Sequence, residues 1–265
     1  MSESDVRDAL RKARGVTITT GAGVSAESGI ATFRTSGDQP ALWETFDPAE
    51  LATPEAFERD PVRVWHWYGL RRRQVRAARW NSGHLAIARF LLARDDALLV
   101  TQNVDGLHRD ALSSLREGPS AAIEAAMDRI LEIHGSIRHL RCSRCARQSF
   151  DDGDYLPSSS KELPSCGACA GILRPAVVWF GETLDPALLD RAFDHARCSE
   201  AAIAAGTSAI VHPAAGVPAL TVHSGGWLVE VNPERTPLSS LARWRFAGPG
   251  SRSLPALLDP SDGGM

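Results

Sequence analysis

Four cysteines carry the sharpest chemical pattern in the chain. Cys142 and Cys145, then Cys166 and Cys169, form CSRC and CGAC with twenty residues between them. Four thiolates on two tight knuckles suit a tetrahedral zinc ion, which can organise a small module that lacks an extensive core. A four-sulfur set leaves no open coordination position, so such an ion is structural rather than catalytic. An iron-sulfur cluster takes the same ligands, and spacing alone does not separate the two. The fifth cysteine, Cys198 in DHARCSE, stands apart with no assigned chemistry.

A second pattern is TQNVDGLH, Thr101 to His108, which follows the apolar run ALLV. Amide and carboxylate side chains at a strand end, here Gln102, Asn103 and Asp105, can hold a carboxamide and sugar hydroxyls in fixed geometry. A solvated turn has the same composition. A third pattern is WHWYGLRRRQ, in which Tyr68 and Arg71 are three positions apart. On a helix that spacing brings a phenol and a guanidinium onto one face, where both can meet an anion. The alternative is aromatic packing beside a solvated basic face. Most of Arg71, Arg72, Arg73, Arg76 and Arg79 are expected to face solvent.

These groups need elements to position them. The first 14 residues predict a short amphipathic helix with Val6 and Leu10 on one side. GVTITTGAG reads as a β-branched strand, Val16 to Thr20, running into a glycine turn and a helix start. Free N-H groups there can receive a phosphate. HLAIARFLLA, from His84 to Ala93, is helical, and ALLVTQN is a buried strand. AAIAAGTSAIV, Ala201 to Val211, is a strand by context, since alanine is a poor strand former, and WLVEVN, Trp227 to Asn232, is the last strand. Strands spaced by helices predict an α/β fold with a parallel sheet and ligand groups at the strand ends. The stretch from Gly153 to Ser165 reads as an irregular connection, and the cysteine region as a module inserted between two halves of the larger domain.

A chain of 265 residues with 43% hydrophobic and 23% charged residues can bury a substantial core. Its net charge of -3 gives no general case for nucleic-acid binding. No apolar run approaches the roughly 20 residues that span a membrane, and the amino terminus lacks the apolar core of a secretory signal. With cysteines in short pairs, a cytoplasmic protein is the expectation, with a monomer as the default and no membrane or nucleic-acid partner.

GAGVSAESGIATFR, TQNVDGLH, EIHGS, the paired CxxC knuckles, VVWFGE and GTSAIVHPAA together resemble the sirtuins, the NAD-dependent protein lysine deacylases. The phrases occur in family order from about residue 7 to residue 258 and so span nearly the whole chain. The resemblance implies one catalytic domain over residues 1–258. It consists of a large Rossmann-like doubly wound parallel sheet and a small helical and zinc-binding module drawn from segments near 35–80 and 135–175. The zinc ribbon-like part is 139–172, and 259–265 is a tail expected to fray. NAD, consumed as a cosubstrate, and an acyl-lysine protein substrate would meet in the cleft between the two parts.

Residue by residue, the resemblance puts Gly21, Ala22, Gly23, Ser25, Ala26 and Glu27 in the first NAD-binding loop. Phe33 and Arg34 would cover the nicotinamide ribose, with Gln102, Asn103 and Asp105 as the polar wall. Gly206, Thr207, Ser208, Glu230 and Asn232 would form the second half of the NAD site, and Gly248 and Gly250 the adenine-side loop. His134, with Asn103 and Asp105, would be the catalytic set, while His108 supports its loop. The implied chemistry is attack of the acyl oxygen on the anomeric carbon as nicotinamide leaves, followed by His134-promoted attack of a ribose hydroxyl. Water then completes conversion to lysine and O-acyl-ADP-ribose. Val178, Trp179, Phe180, Gly181 and Glu182 resemble the peptide and acyl channel. Tyr68 and Arg71 match the pair of sirtuins that accept succinyl, malonyl or glutaryl groups, and acetyl-lysine can still react.

The chain departs from the family pattern at three places. Ala31 replaces a common proline, Gly250 a larger residue, and the stretch from Ala111 to Arg129 is longer than expected. Protein ADP-ribosyl transfer, or NAD or peptide binding without turnover, are the competing function classes.

Overall fold

The computed structural model describes residues 2–32, 46–115, 119–151 and 153–259. The apolar runs become strands β1 (Val16–Thr20), β2 (Ala97–Thr101) and β3 (Ile130–Glu132), then β4 (Gly135–Cys142), β5 (Gln148–Phe150) and β6 (Leu173–Val177), and finally β7 (Ala201–Ala205), β8 (Trp227–Val231) and β9 (Trp244–Phe246). Six of them form one sheet in the order β3-β2-β1-β7-β8-β9, and every pair is parallel. Strand order reverses between β1 and β7, the place where open parallel sheets bind ligands.

Every residue of β1, β2 and β7 is buried, as a sheet covered by helices on both faces requires. Alternation along β2 shows the two layers. Ala97 and Leu99 pack with Ile87 and Leu91 of helix Ser82–Ala93 and with Leu254 of helix Gly250–Leu258. Leu98 and Val100 pack on the opposite face with Ala192 and Ala196 of helix Pro186–Cys198 and Val217 of helix Gly216–His223. The alanine-rich β7 is a strand because β1 and β8 supply a ladder on each side, so pairing overrides propensity. The first helix is Glu3–Lys12, held by a Ser2–Asp5 capping box, with Val6 and Leu10 buried as their spacing predicts. Cys198 ends its helix and is exposed.

The smaller module joins an antiparallel sheet, β5-β4-β6, to helices Pro48–Leu51, Pro54–Arg59 and Pro61–Ala77. Each of these helices starts with proline in its first turn, after an Asp47, Thr53 or Asp60 whose side chain accepts from a free N-H of that turn. Phe57, Trp65, Tyr68 and Val75 share a core with Ile137, Leu140, Val177 and Trp179 of the sheet side.

Arg72 does not face solvent: it is 1% exposed and donates to the carbonyls of Ile137, Asp151 and Gly153, tying the long helix to β4 and the connection after β5. Arg73 and Arg76 instead pair with Asp154 at the surface. The long stretch 111–129 forms helix Ser120–Asp128, which packs near β3 at the edge of the large sheet. None of its described residues lines the central cavity. No described helix is long and apolar enough to cross a membrane.

Candidate active site

Loops at the carboxyl ends of β1, β2, β7 and β8 converge on a cavity of about 760 Å3 between the large sheet and the smaller module. Gly21, Ala22 and Gly23 come from the β1 loop, Gly206, Thr207 and Ser208 from the β7 loop, and Asn232 from the end of β8. The glycines bring the β1 and β7 turns together. Gly206 has φ +58°, and a Cβ there would lie 2.4 Å from the Val24 nitrogen. A Cβ on Gly23 would lie 2.8 Å from the Gly206 carbonyl, which instead accepts the Gly23 N-H at 2.8 Å. Gln102 Nε2 donates to Thr207 Oγ1, and Asn232 Nδ2 to the Thr207 carbonyl, so three strand ends are cross-tied.

Behind the wall lies a buried polar web. Ser25 Oγ donates to Asp105 Oδ2 at 2.8 Å and accepts from Asn103 Nδ2 at 3.1 Å. His84 completes it. Its Nδ1 accepts the Asn81 N-H, which leaves the proton on Nε2, 3.2 Å from Ser25 Oγ. The other Asp105 oxygen takes the Leu107 N-H. Burial raises the Asp105 pKa, while that bond and the Ser25 bond oppose the rise. Nothing in a plain helical pattern marked His84 in the sequence.

His108 lies beneath this loop, 3% exposed and off the cavity wall. Thr20 Oγ1 gives its proton to Thr101 Oγ1, so it receives one from His108 Nε2 at 3.0 Å. Thr101 Oγ1 in turn accepts the Asn103 N-H. Burial holds His108 well below the ordinary histidine pKa, as the neutral donor this chain needs.

His134 lines the cavity at the turn between β3 and β4. Its Nδ1 is 3.1 Å from the Gln102 carbonyl oxygen, which can only accept. The proton therefore sits on Nδ1, and Nε2 keeps the lone pair that can take a proton. Burial lowers its pKa, with the carbonyl bond opposing.

From the smaller module, helix Pro61–Ala77 supplies Trp67, Tyr68 and Arg71 to the cavity, and the segment after β6 supplies Val178 to Glu182. Tyr68 and Arg71 are 5% and 6% exposed. Burial pushes the Tyr68 phenol up to about 12 and lowers Arg71 to about 10, so at neutral pH one is a neutral donor and the other a cation. The Arg71 guanidinium lies 5.3 Å from the Trp67 ring centroid. The Val178 N-H bonds the His134 carbonyl and the Phe180 N-H the Ala52 carbonyl, which pins the segment between the turn that carries His134 and the helical side. Trp67 was not singled out from sequence, although it adjoins Tyr68 and faces the same cavity.

Several expected NAD-site residues do not line the cavity: Ser25 and Asp105 are buried behind it, and Ala26 and Glu27 are exposed outside it. Glu230, expected near the adenosine ribose, is not on the cavity wall. It is 1% exposed, accepts from Thr236 and Ser239 and pairs with Arg245, anchoring the loop from Asn232 to Pro237 that does line the cavity. Gly248 and Gly250 also lie off the wall, and Gly250 opens the last helix against Val24. Phe33 and Arg34 lie outside the described residues, as does most of the expected tail.

In the smaller module, Cys142, Cys145, Cys166 and Cys169 bring their sulfur atoms within 4.8 Å of one another. Cys142 and Cys169 Sγ are 3.4 Å apart, Cys145 and Cys166 Sγ 3.8 Å, and all four thiols are free. A tetrahedron with metal-sulfur bonds of about 2.3 Å has edges of about 3.8 Å, so this set fits a metal ion.

Comparison with known proteins agrees with this arrangement. The model of the Sir2 family matches residues 21–213. An NAD-dependent protein deacylase of Aeropyrum pernix is 45% identical over 223 residues, 84% of this chain and 82% of that protein. One of Aquifex aeolicus is 40% identical over 91% of this chain and 92% of the relative. Among solved structures, a Sir2 homolog in complex with NAD superposes with a TM-score of 0.80 at 38% identity, covering 97% of this chain and 93% of the other. A Sir2 complex with a p53 peptide and NAD+ gives 0.78 at 28% identity, with 96% of each chain covered. A doubly wound sheet, a four-cysteine module and a cavity between them, matched along nearly the whole chain, show that this protein belongs to the Sir2 family.

Proposed function

We propose that this protein removes acyl groups from protein lysine with consumption of NAD, releasing nicotinamide, O-acyl-ADP-ribose and free lysine, and that it prefers acyl chains ending in a carboxylate. One observation carries the reading: His134 and the Tyr68–Arg71 pair line the same cavity. NAD supplies the activated ribose carbon from which nicotinamide departs. The residues fit such a cosubstrate, since Gln102 and Asn103 offer amides and Thr207, Ser208 and Asn232 offer groups for ribose hydroxyls at the strand-order reversal.

His134 Nε2 accepts a proton from a ribose hydroxyl, and the Gln102 carbonyl keeps the ring in the required tautomer. Ser25 and Asp105 fix the Asn103 loop from behind. Val178 and Phe180 flank the lysine chain on an apolar wall. At the far end Tyr68 and Arg71 donate to the acyl carboxylate. A carboxylate accepts the paired N-H donors of a guanidinium, and an uncharged acyl chain has no such acceptor. Acetyl-lysine is a poorer substrate of the same site. The four cysteines hold a structural zinc ion outside the reaction.

Liquid-chromatography mass spectrometry on matched acetyl, malonyl, succinyl and glutaryl peptides tests this reading. It predicts equimolar free lysine peptide and O-acyl-ADP-ribose, formed only with NAD and fastest with the acidic acyl groups. ADP-ribose retained on protein would instead indicate transfer to protein.

A further inference from the structure

Trp179 lines the cavity that also holds Tyr68 and Arg71, and its indole is fixed by several neighbours. Its Nε1 donates to the Tyr68 hydroxyl at 2.9 Å. The Arg174 guanidinium lies 3.9 Å from the Trp179 ring centroid. Phe57 packs against the ring at 5.3 Å between centroids. Glu182 closes the clasp from both ends: one carboxylate oxygen accepts the Trp179 backbone N-H at 2.9 Å, and the other takes Arg174 at 2.5 Å. Arg174 is 5% exposed and Trp179 4%, so the indole N-H has little freedom to turn away from Tyr68.

The consequence lies in the polarity of the phenol. A tyrosine hydroxyl has one proton to give and lone pairs to receive. Among the described residues the indole is its hydrogen-bond partner, and the indole can only donate. The Tyr68 oxygen is thereby engaged as an acceptor, which leaves its own proton for a group in the cavity. Beside it, Arg71 is a donor without acceptor capacity. An acyl terminus that meets both must accept from both, which a carboxylate does and a methyl group does not.

We propose that Trp179 is a positioning residue for acyl selection: by donating to Tyr68 it turns the phenol into a donor aimed at the acyl terminus, and Arg174 and Glu182 hold the indole in place. This rests on the carboxylate-selective reading given above. The clasp lies in the chain segment Arg174 to Glu182, so the segment that walls the lysine channel also sets the polarity of its far end.

The test is a double-mutant cycle on the zinc-loaded, NAD-supplied enzyme, with kcat and KM measured on matched succinyl and acetyl peptides for wild type, Tyr68→Phe, Trp179→Phe and the double variant. Trp179→Phe keeps an aromatic ring for Arg174 and Phe57 but removes the N-H. Each single variant is expected to lower the succinyl-to-acetyl ratio of kcat/KM about tenfold, mainly through KM for the succinyl peptide. The double variant is expected to be no lower in this ratio than Tyr68→Phe alone, because both changes remove the same donor. An unchanged ratio in Trp179→Phe, or effects that multiply in the double variant, overturns the role of Trp179. If Tyr68→Phe itself leaves the ratio unchanged, the carboxylate reading fails and the inference with it. Should Trp179→Phe not fold, a benzothienylalanine at position 179, with sulfur in place of the N-H and the same ring size, gives the same two outcomes.

Discussion

The Nδ1 of His134 lies 3.1 Å from the backbone carbonyl oxygen of Gln102. That bond joins the turn after β3 to the polar wall after β2 and fixes which nitrogen can act as a base. Burial also lowers the His134 pKa from the ordinary value of 6.5. The imidazole is thus neutral through the physiological range and becomes protonated only on acidification. The acid limb of kcat/KM against pH is expected below pH 6.5, and His134→Ala is expected to reduce turnover by about 10²- to 10⁴-fold. His108→Ala should cost less turnover in folded enzyme, because that ring stands behind the wall. Equal loss in both variants would contradict the division of roles.

The rings of His84 and His108 lie with centroids 4.7 Å apart, tilted by 54°, and burial lowers His84 to about 4 and His108 well below 6.5. Between roughly pH 6.5 and 4 the unfolded chain binds protons that the folded chain refuses. Folded stability should therefore be complete above pH 6.5 and fall as pH drops, by up to about 1.4 kcal/mol per pH unit from His84 in that window, with His108 acting in the same direction. Thermal melts across this range should show a flatter pH slope for His84→Gln than for wild type. Parallel slopes would show that His84 titrates alike in both states.

The glycine turns make a mechanical prediction. A side chain on Gly206 would require both φ +58° and a Cβ 2.4 Å from the Val24 nitrogen. Gly206→Ala is expected to destabilise the fold by about 2–4 kcal/mol in urea titration and to weaken NAD-dependent turnover. Wild-type stability in this variant would mean that the β1 and β7 turns are not packed this closely.

Much of this frame was legible in the sequence because it is local. β-Branched runs ending in glycine gave β1, and the polar run after ALLV marked the end of β2. The cysteine pairs announced their cluster by spacing alone. Contacts between distant segments were not legible. The partner of Trp179 is Tyr68, 111 positions away, and no local pattern joins VVWFGE to WHWYGL. Glu230 alternates correctly within β8, yet its partners Thr236, Ser239 and Arg245 depend on how the following loop folds back. Arg72 was missed although helical periodicity puts it beside Tyr68 and Val75 on the buried face, since a run of arginines suggests solvent by composition.

Removal of the metal tests the cysteine module. A chelator strong enough to strip the four thiolates is expected to release about one zinc ion per chain and lower the melting temperature by about 10 °C or more. Zinc readdition under reducing conditions should restore both stability and turnover. Release of iron, or full activity after complete removal, would contradict a structural zinc.

The most direct test of the account is kcat/KM of wild type and Arg71→Met on succinyl and acetyl versions of one peptide. Arg71 lines the cavity shared with His134 and is 6% exposed, so a carboxylate-ended acyl chain in that cavity can accept from it. The account predicts that wild type favours succinyl and that Arg71→Met lowers the succinyl value at least about tenfold more than the acetyl value. Equal losses on both peptides would contradict it.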